Sequence, residues 1–121
     1  MPSSKSFHEL VASYQQGERD FQGSVLDEDP KNNLSGASLD GIDLSHSSVV
    51  ADFRGASLRA ARFCNANLKT CDFRDTDLTN AVFAGAALCA TTFVSSILSG
   101  TDFDGAYYHS YVMRQGEHPN W

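Results

Sequence analysis

From Phe53 onward an apolar residue recurs at every fifth position: Phe53, Leu58, Phe63, Leu68, Phe73, Leu78, Phe83, Leu88, Phe93, Leu98, Phe103 and Tyr108. Phe and Leu alternate strictly until the last. Two residues before each of these centres stands a small side chain: Ala51, Ala56, Ala61, Ala66, Cys71, Thr76, Ala81, Ala86, Thr91, Ser96, Thr101 and Ala106. A period of five with two inward positions matches neither the 3.6 of an α-helix nor the 2 of a flat strand. It describes a chain that turns a corner every five residues. Such a repeat fixes an architecture but carries no chemistry of its own.

Ala-Asp-Phe-Arg-Gly at 51–55 and Ala-Asn-Leu-Lys-Thr at 66–70 resemble the pentapeptide-repeat family, whose loose pattern is A-(D/N)-L-x-x. The resemblance covers about residues 19 to 108, and the opening from Glu9-Leu10-Val11 through Gly17-Glu18-Arg19-Asp20-Phe21 looks like that of small bacterial, often cyanobacterial members. It implies an all-β solenoid, a right-handed quadrilateral β-helix with four repeats per coil. The central Leu or Phe and the small residue before it point inward, and the other three face solvent.

The rest of the chain is counted on that frame. Phe21 and Leu26 are five apart, and the period then breaks over 27–33, which is expected to bulge as a loop. Leu34, Leu39, Leu44 and Val49 resume it, and the step from Val49 to Phe53 is only four, so the corner near Val50 must be irregular. About 4.5 coils result, a rod of about 22 Å at ~4.8 Å per stacked strand. Residues twenty apart lie above one another, so Phe53, Phe73 and Phe93 stack on one face and Phe63, Phe83 and Phe103 on the opposite one. Filled in this way, a coil leaves no lumen for a ligand.

Three parts are expected: 1–17, an N-terminal capping helix; 18–108, the repeat β-helix with its loop 27–33; and 109–121, a C-terminal tail. Ser6 and Glu9 have capping-box spacing, Phe7, Leu10, Val11 and Tyr14 mark one face, and Gly17 supplies a stop. The helix is read as a cover for the open end of the stack, with partner docking as the competing use. The tail holds Tyr111, Val112, Met113 and Trp121, so it either folds over the last coil or joins another subunit.

The net charge of −6 argues against general nucleic-acid or membrane binding. It is uneven: residues 1–50 carry eight acids and three bases, residues 51–121 seven and six. The start lacks the apolar stretch of a signal peptide, and no paired cysteine framework is present, which points to the cytoplasm.

Motifs for chemistry are missing. Cys71 occupies an inward position and reads as core, while Cys64 and Cys89 face out, too far apart in the coil for a disulfide. His8, His46, His109 and His118 are scattered without metal-ligand spacing. Asp27-Glu28-Asp29 lacks the spacing and glycine of a calcium loop and reads as solvated. No phosphate-binding glycine loop, dinucleotide fingerprint or nucleophile elbow occurs. No catalytic, cofactor or metal residue is assigned, no cofactor is implied, and an enzyme is not expected.

Interaction is what remains. Candidate partner contacts are the acidic Asp27, Glu28 and Asp29 and the basic strip Arg54, Arg59, Arg62 and Arg74, which otherwise forms a charge-balanced wall. Val94, Ile97, Tyr107, Tyr111, Met113 and Trp121 are candidates for self-association or tail docking, with outward Val82 nearby. The reading is a non-catalytic interaction or structural module with an unidentified protein partner, monomeric in preference to a C-terminal homodimer. The alternative comes from the family's quinolone-resistance members: a DNA-mimicking modulator of a type II topoisomerase, acting as an end-to-end dimer. The arginines of the middle coils work against that mimicry.

Overall fold

The computed structural model describes residues 3–4 (backbone only), 6–26 and 33–121. Its hydrogen bonds repeat with the sequence. At each corner the small residue donates back to the preceding centre: Ala56 N–H to the Phe53 carbonyl (3.0 Å), Ala61 to Leu58 (3.1 Å), Ala66 to Phe63 (3.1 Å). The third residue of each of these turns has positive φ, as a type II turn requires. That column runs Gly55, Ala60, Asn65, Thr70, Asp75, Asn80, Gly85, Ala90, Ser95, Gly100, Gly105.

Where the residue before a centre is Asp or Asn, its side chain has a local task as well. Asp52 Oδ1 accepts from the Arg54 amide (3.0 Å), Asp72 Oδ1 from the Arg74 amide (3.0 Å) and Asp77 Oδ1 from the Thr79 amide (3.1 Å). An amide that points out of the wall at the start of a corner has no backbone partner, and a short Asp or Asn side chain reaches it. The acidic or amide residue of the repeat is therefore a turn residue first.

Successive coils pair in parallel with an offset of twenty: Asp52 with Asp72, Ser57 with Asp77, Arg62 with Val82, Asn67 with Ala87. Corners every five residues and a repeat after twenty make the coil four-sided. Two irregularities shift the count. Across the break at 27–33 the offset is 23, as in Asp20 with Asp43. Across Val50 it is 19, as in Asn33 with Asp52 and Ser38 with Ser57. Between His46 and Gly55 no residue has positive φ, so the residue missing from that corner is the left-handed one. The expected loop, with Asp27, Glu28 and Asp29, lies outside the described residues apart from Asn33.

Regular strands are few: β1 (Ser3–Ser4), β2 (Ser24–Leu26), β3 (Ser48–Val49), β4 (Tyr107–Tyr108) and β5 (Tyr111–Val112). Elsewhere the pairing is by single bridges. A wall that gives two of every five residues to a corner has no room for a longer ladder. β1, β2 and β3 form a parallel sheet with β1 on its edge, and β1 has no counterpart in the sequence analysis.

Inside, the Phe side chains form two columns. Phe53, Phe73 and Phe93 stack with centroids 5.0 Å apart and nearly parallel rings, and Phe63, Phe83 and Phe103 do the same at 4.9 Å. The columns meet edge to face, for example Phe73 with Phe83 at 5.6 Å and 90°, a favourable quadrupole arrangement. Leu58, Leu68, Leu78 and Leu88 fill the other two sides, fully buried. Polar residues at the small inward positions are satisfied. Thr76 Oγ1 donates to the Phe53 carbonyl (2.8 Å) and Thr101 Oγ1 to the Leu78 carbonyl (2.8 Å).

The two ends are built differently. α1 (Phe7–Gln15) starts at Ser6, whose side chain accepts from the Glu9 amide while Glu9 accepts from the Ser6 amide. Phe7 and Leu10 are buried in the solenoid core, and Tyr14 donates its hydroxyl to the Asp40 carbonyl (2.6 Å). At the other end β4 turns at His109 (φ 56°) into β5, an antiparallel hairpin. From there the chain returns across the last coil. Met113 is buried, its carbonyl accepts from the Gly105 amide (2.9 Å), and the Trp121 carbonyl accepts from the Phe93 amide (2.6 Å).

Candidate functional site

Among the described residues the interior of the coils is filled by side chains, which leaves their walls and ends to meet a ligand or partner. The arginine strip is tied to carboxylates. Arg54 Nε lies 3.0 and 3.1 Å from the two oxygens of Asp52 and its Nη2 2.7 Å from Oδ2, and Arg74 repeats this on Asp72. Arg54 Nε also stands 3.7 Å from Asp72, so the pairs form a ladder up one wall. Arg59 is 3.9 Å from Asp77 on the next wall, and Arg62 is 3.9 Å from Asp43 on the one after. The strip therefore runs over three sides rather than one, and each of its four cations faces an acid.

The carboxylates respond. The guanidinium hydrogen bond of Arg54 holds Asp52 below its ordinary pKa, and Arg74 does the same to Asp72. Asp77 is lowered first by the Thr79 hydroxyl and less by Arg59. Exposed pairs of this kind are screened by solvent and contribute little to stability. They present polar, locally neutral walls.

The candidate apolar residues divide into two groups. Met113 is buried, and Trp121 is half-buried with its ring 4.5 Å from that of Tyr108 and its indole N–H toward Thr91 Oγ1 (3.4 Å). Met113 belongs to the core cluster and Trp121 packs against it. Val94 (54% exposed), Ile97 (50%), Tyr107 (39%) and Tyr111 (51%) stay in solvent. Tyr107 pairs with Val112 across the hairpin, and Tyr111 donates its hydroxyl to Glu117 Oε2 (2.6 Å). Val94 and Ile97 stand on either side of the corner closed by the Ser96 amide on the Phe93 carbonyl (3.0 Å).

A charge-free stretch is a further feature of the sequence, one that the five-residue period does not mark. From Leu78 to Thr101 the chain holds no Asp, Glu, Lys, Arg or His. The fold turns that stretch into a ring, so a complete uncharged coil lies directly on a charged one. Its signal is a gap in composition rather than a repeated residue.

The cysteines do not gather. Burial pushes the Cys71 thiol up to about 12, and its S–H donates to the Val49 carbonyl (3.1 Å), which makes it a core group. Cys64 and Cys89 are half-buried on different walls. Among the described residues no cluster of His, Cys, Asp and Glu could hold a metal ion, and no helix is long and apolar enough to cross a membrane.

Comparison with known proteins places the repeat. The family of pentapeptide repeats matches residues 51–83 and 71–107, with eight copies. Among solved structures the chain is similar to alr5209, a pentapeptide repeat protein from Nostoc PCC 7120, at 28% identity over 89% of this chain and 83% of that one, with a TM-score of 0.47. It is similar to Rfr23, a pentapeptide repeat protein from the cyanobacterium Cyanothece 51142, at 22% identity over 84% and 78%, TM-score 0.42. It is also similar to QnrB1, a plasmid-mediated fluoroquinolone resistance protein, at 18% identity over 72% of this chain and 57% of that one, TM-score 0.26. No curated protein sequence matches the chain.

Proposed function

Starting from a chain that belongs to the pentapeptide-repeat family, we propose that it is a non-catalytic interaction module that presents rigid walls to a protein partner. The observation that supports this best is the division between inside and outside. Every large inward position of the middle coils is spent on packing, and the outward groups are dispersed over the walls, the four arginines among them each beside an acid. A reaction needs an acid, a base or a nucleophile held around one point, and no such grouping supports a catalytic reading.

The finer architecture belongs to the same proposal. It is a right-handed quadrilateral β-helix of about 4.5 coils over 18–108, with 1–17 as a capping helix and 109–121 as a tail. The protein acts in the cytoplasm as a monomer, without nucleic acid, membrane or cofactor. Asp27, Glu28 and Asp29, together with Arg54, Arg59, Arg62 and Arg74 on the walls, are its polar partner contacts.

Two measurements test it. Light scattering over a wide concentration range should give the monomer mass, and micromolar protein should leave topoisomerase supercoiling activity unchanged. A stable dimer together with dose-dependent inhibition would replace this reading with the DNA-mimicking one.

A further inference from the structure

We propose that Asp104–Gly105, the corner leading into β4, is a covalent modification site at which aspartate converts to isoaspartate, and that the C-terminal hairpin sets the rate. Asp–Gly occurs twice in the chain, at 40–41 and at 104–105. Both are corners with the glycine at positive φ, 75° for Gly41 and 79° for Gly105. A glycine has no side chain to shield its nitrogen or to restrict its backbone, so Asp–Gly is the aspartyl sequence most open to attack by the following amide.

The step balances without a co-reactant. The Gly105 nitrogen attacks Cγ of the protonated Asp104 carboxyl group. A new N–Cγ bond closes a five-membered succinimide, the Cγ–OH bond breaks, and the hydroxyl leaves with the amide proton as water. Water then adds at one of the two ring carbonyls. Cleavage of the N–Cγ bond restores aspartate, whereas cleavage of the bond from nitrogen to the main-chain carbonyl carbon leaves isoaspartate. Nothing is oxidised or reduced. The main chain then runs through Cβ and Cγ and is longer by one methylene, which displaces β4 from its register.

The fold restrains the two corners unequally. A type II turn holds ψ of the residue before the glycine near about +120°, which turns the glycine nitrogen away from Cβ. The peptide must rotate before the ring can close, and rotation breaks the bonds of its N–H and C=O. At the first corner the Gly41 amide donates to the Arg59 carbonyl of the next coil (2.8 Å), and the Asp40 carbonyl accepts the Tyr14 hydroxyl (2.6 Å). The Asp40 carboxylate is tied as well, its Oδ1 accepting from the Ser57 hydroxyl (2.6 Å) and the Arg59 amide (2.9 Å). At the second corner the Asp104 carbonyl accepts a longer bond from the Gly85 amide (3.2 Å), and the Gly105 amide donates to the Met113 carbonyl, just past β5 (2.9 Å). Asp104 is exposed, and among the described residues its carboxylate has no hydrogen bond or ion pair. Its restraint is thus the hairpin, which is closed by Glu117 accepting from the Tyr111 hydroxyl (2.6 Å) and the Arg114 amide (2.7 Å). A hairpin of two-residue strands opens more readily than a stacked coil.

The test is ageing of the full folded chain in heavy-oxygen water at neutral pH. Label and isoaspartyl linkage are read at each aspartate by electron-transfer fragmentation in the mass spectrometer. In the folded protein Asp104 should convert at least about tenfold faster than Asp40. In denaturing urea, where only the shared Asp–Gly sequence remains, the two should convert at similar rates. Met113→Ala and the milder Tyr111→Phe should each speed conversion at Asp104 and leave Asp40 slow. A variant that unfolds altogether would raise both rates, and Tyr111→Phe, at an exposed side chain, then decides. Absence of isoaspartate at Asp104 would overturn the proposal, as would equal rates at the two corners of the folded protein, which would make global unfolding the gate. Conversion at Asp104 indifferent to both hairpin variants would overturn it too.

Discussion

The coil from Leu58 to Asp77 and the coil from Leu78 to Ile97 share one interior and have opposite exteriors. Both present two Phe and two Leu side chains inward, and the rings of one stack on the rings of the other at 4.9 to 5.0 Å. Outside, the lower coil carries Arg59, Arg62, Lys69, Asp72, Arg74, Asp75 and Asp77, and the upper one carries no charge. Packing therefore does not dictate the surface. In a five-residue repeat two positions make the core and the remaining three are only loosely constrained by it, so a difference confined to those three reports on what the walls meet.

The comparison breaks most directly in the core. Phe73→Ala in the lower coil and Phe83→Ala in the upper should each cost about 3–5 kcal/mol in urea unfolding. Their costs should agree closely, since each ring lies between two stacked neighbours. A large disparity would mean that the exterior does reach the interior. Ala66→Leu places bulk at a buried small position and should cost about 1–3 kcal/mol. No loss there would show that the inward register is wrong.

Smaller effects test the corners and the walls. Gly85 has φ +70°, and a Cβ added there would collide with the Asn65 side chain of the coil below. Gly85→Ala should therefore lower the urea midpoint by the equivalent of about 1–2 kcal/mol. The charged coils should also be the acid-sensitive ones. Asp52, Asp72 and Asp77 are depressed in the folded state, so their stabilisation is present above the unfolded value near 3.8 and is lost as pH falls through the folded values. Stability should be flat near neutrality and decline below about pH 4, and Asp52→Asn with Asp72→Asn should flatten that decline. Least of all, Arg59→Ser should shift stability by about 0.5 kcal/mol or less, because its pair is long and exposed.

Some of this was legible because it is local. The period of five, the alternation of Phe and Leu, the capping box at Ser6 and the shortened corner at Val50 each follow from spacing alone. The left-handed column has no counterpart in the sequence analysis, because Ala60, Thr70 and Ala90 stand among its Gly and Asn residues. These residues accept positive φ because the turns on either side are held by the stack. The paired arginines were the opposite case. Their residue types were plain, but a guanidinium's choice between an acid two residues away and one twenty away depends on how coils superpose.

By itself, then, the sequence determined where this chain bends and which side chains go inside, since hydrophobic burial and turn chemistry act over five residues. The tertiary structure alone decided what happens at the ends. There a hairpin at His109 replaces the next corner, and β1 joins the first sheet. There the amides of Leu98 and Gly100 have no partner among the described residues, because the partner of an edge group lies a whole coil away and the repeat does not supply it.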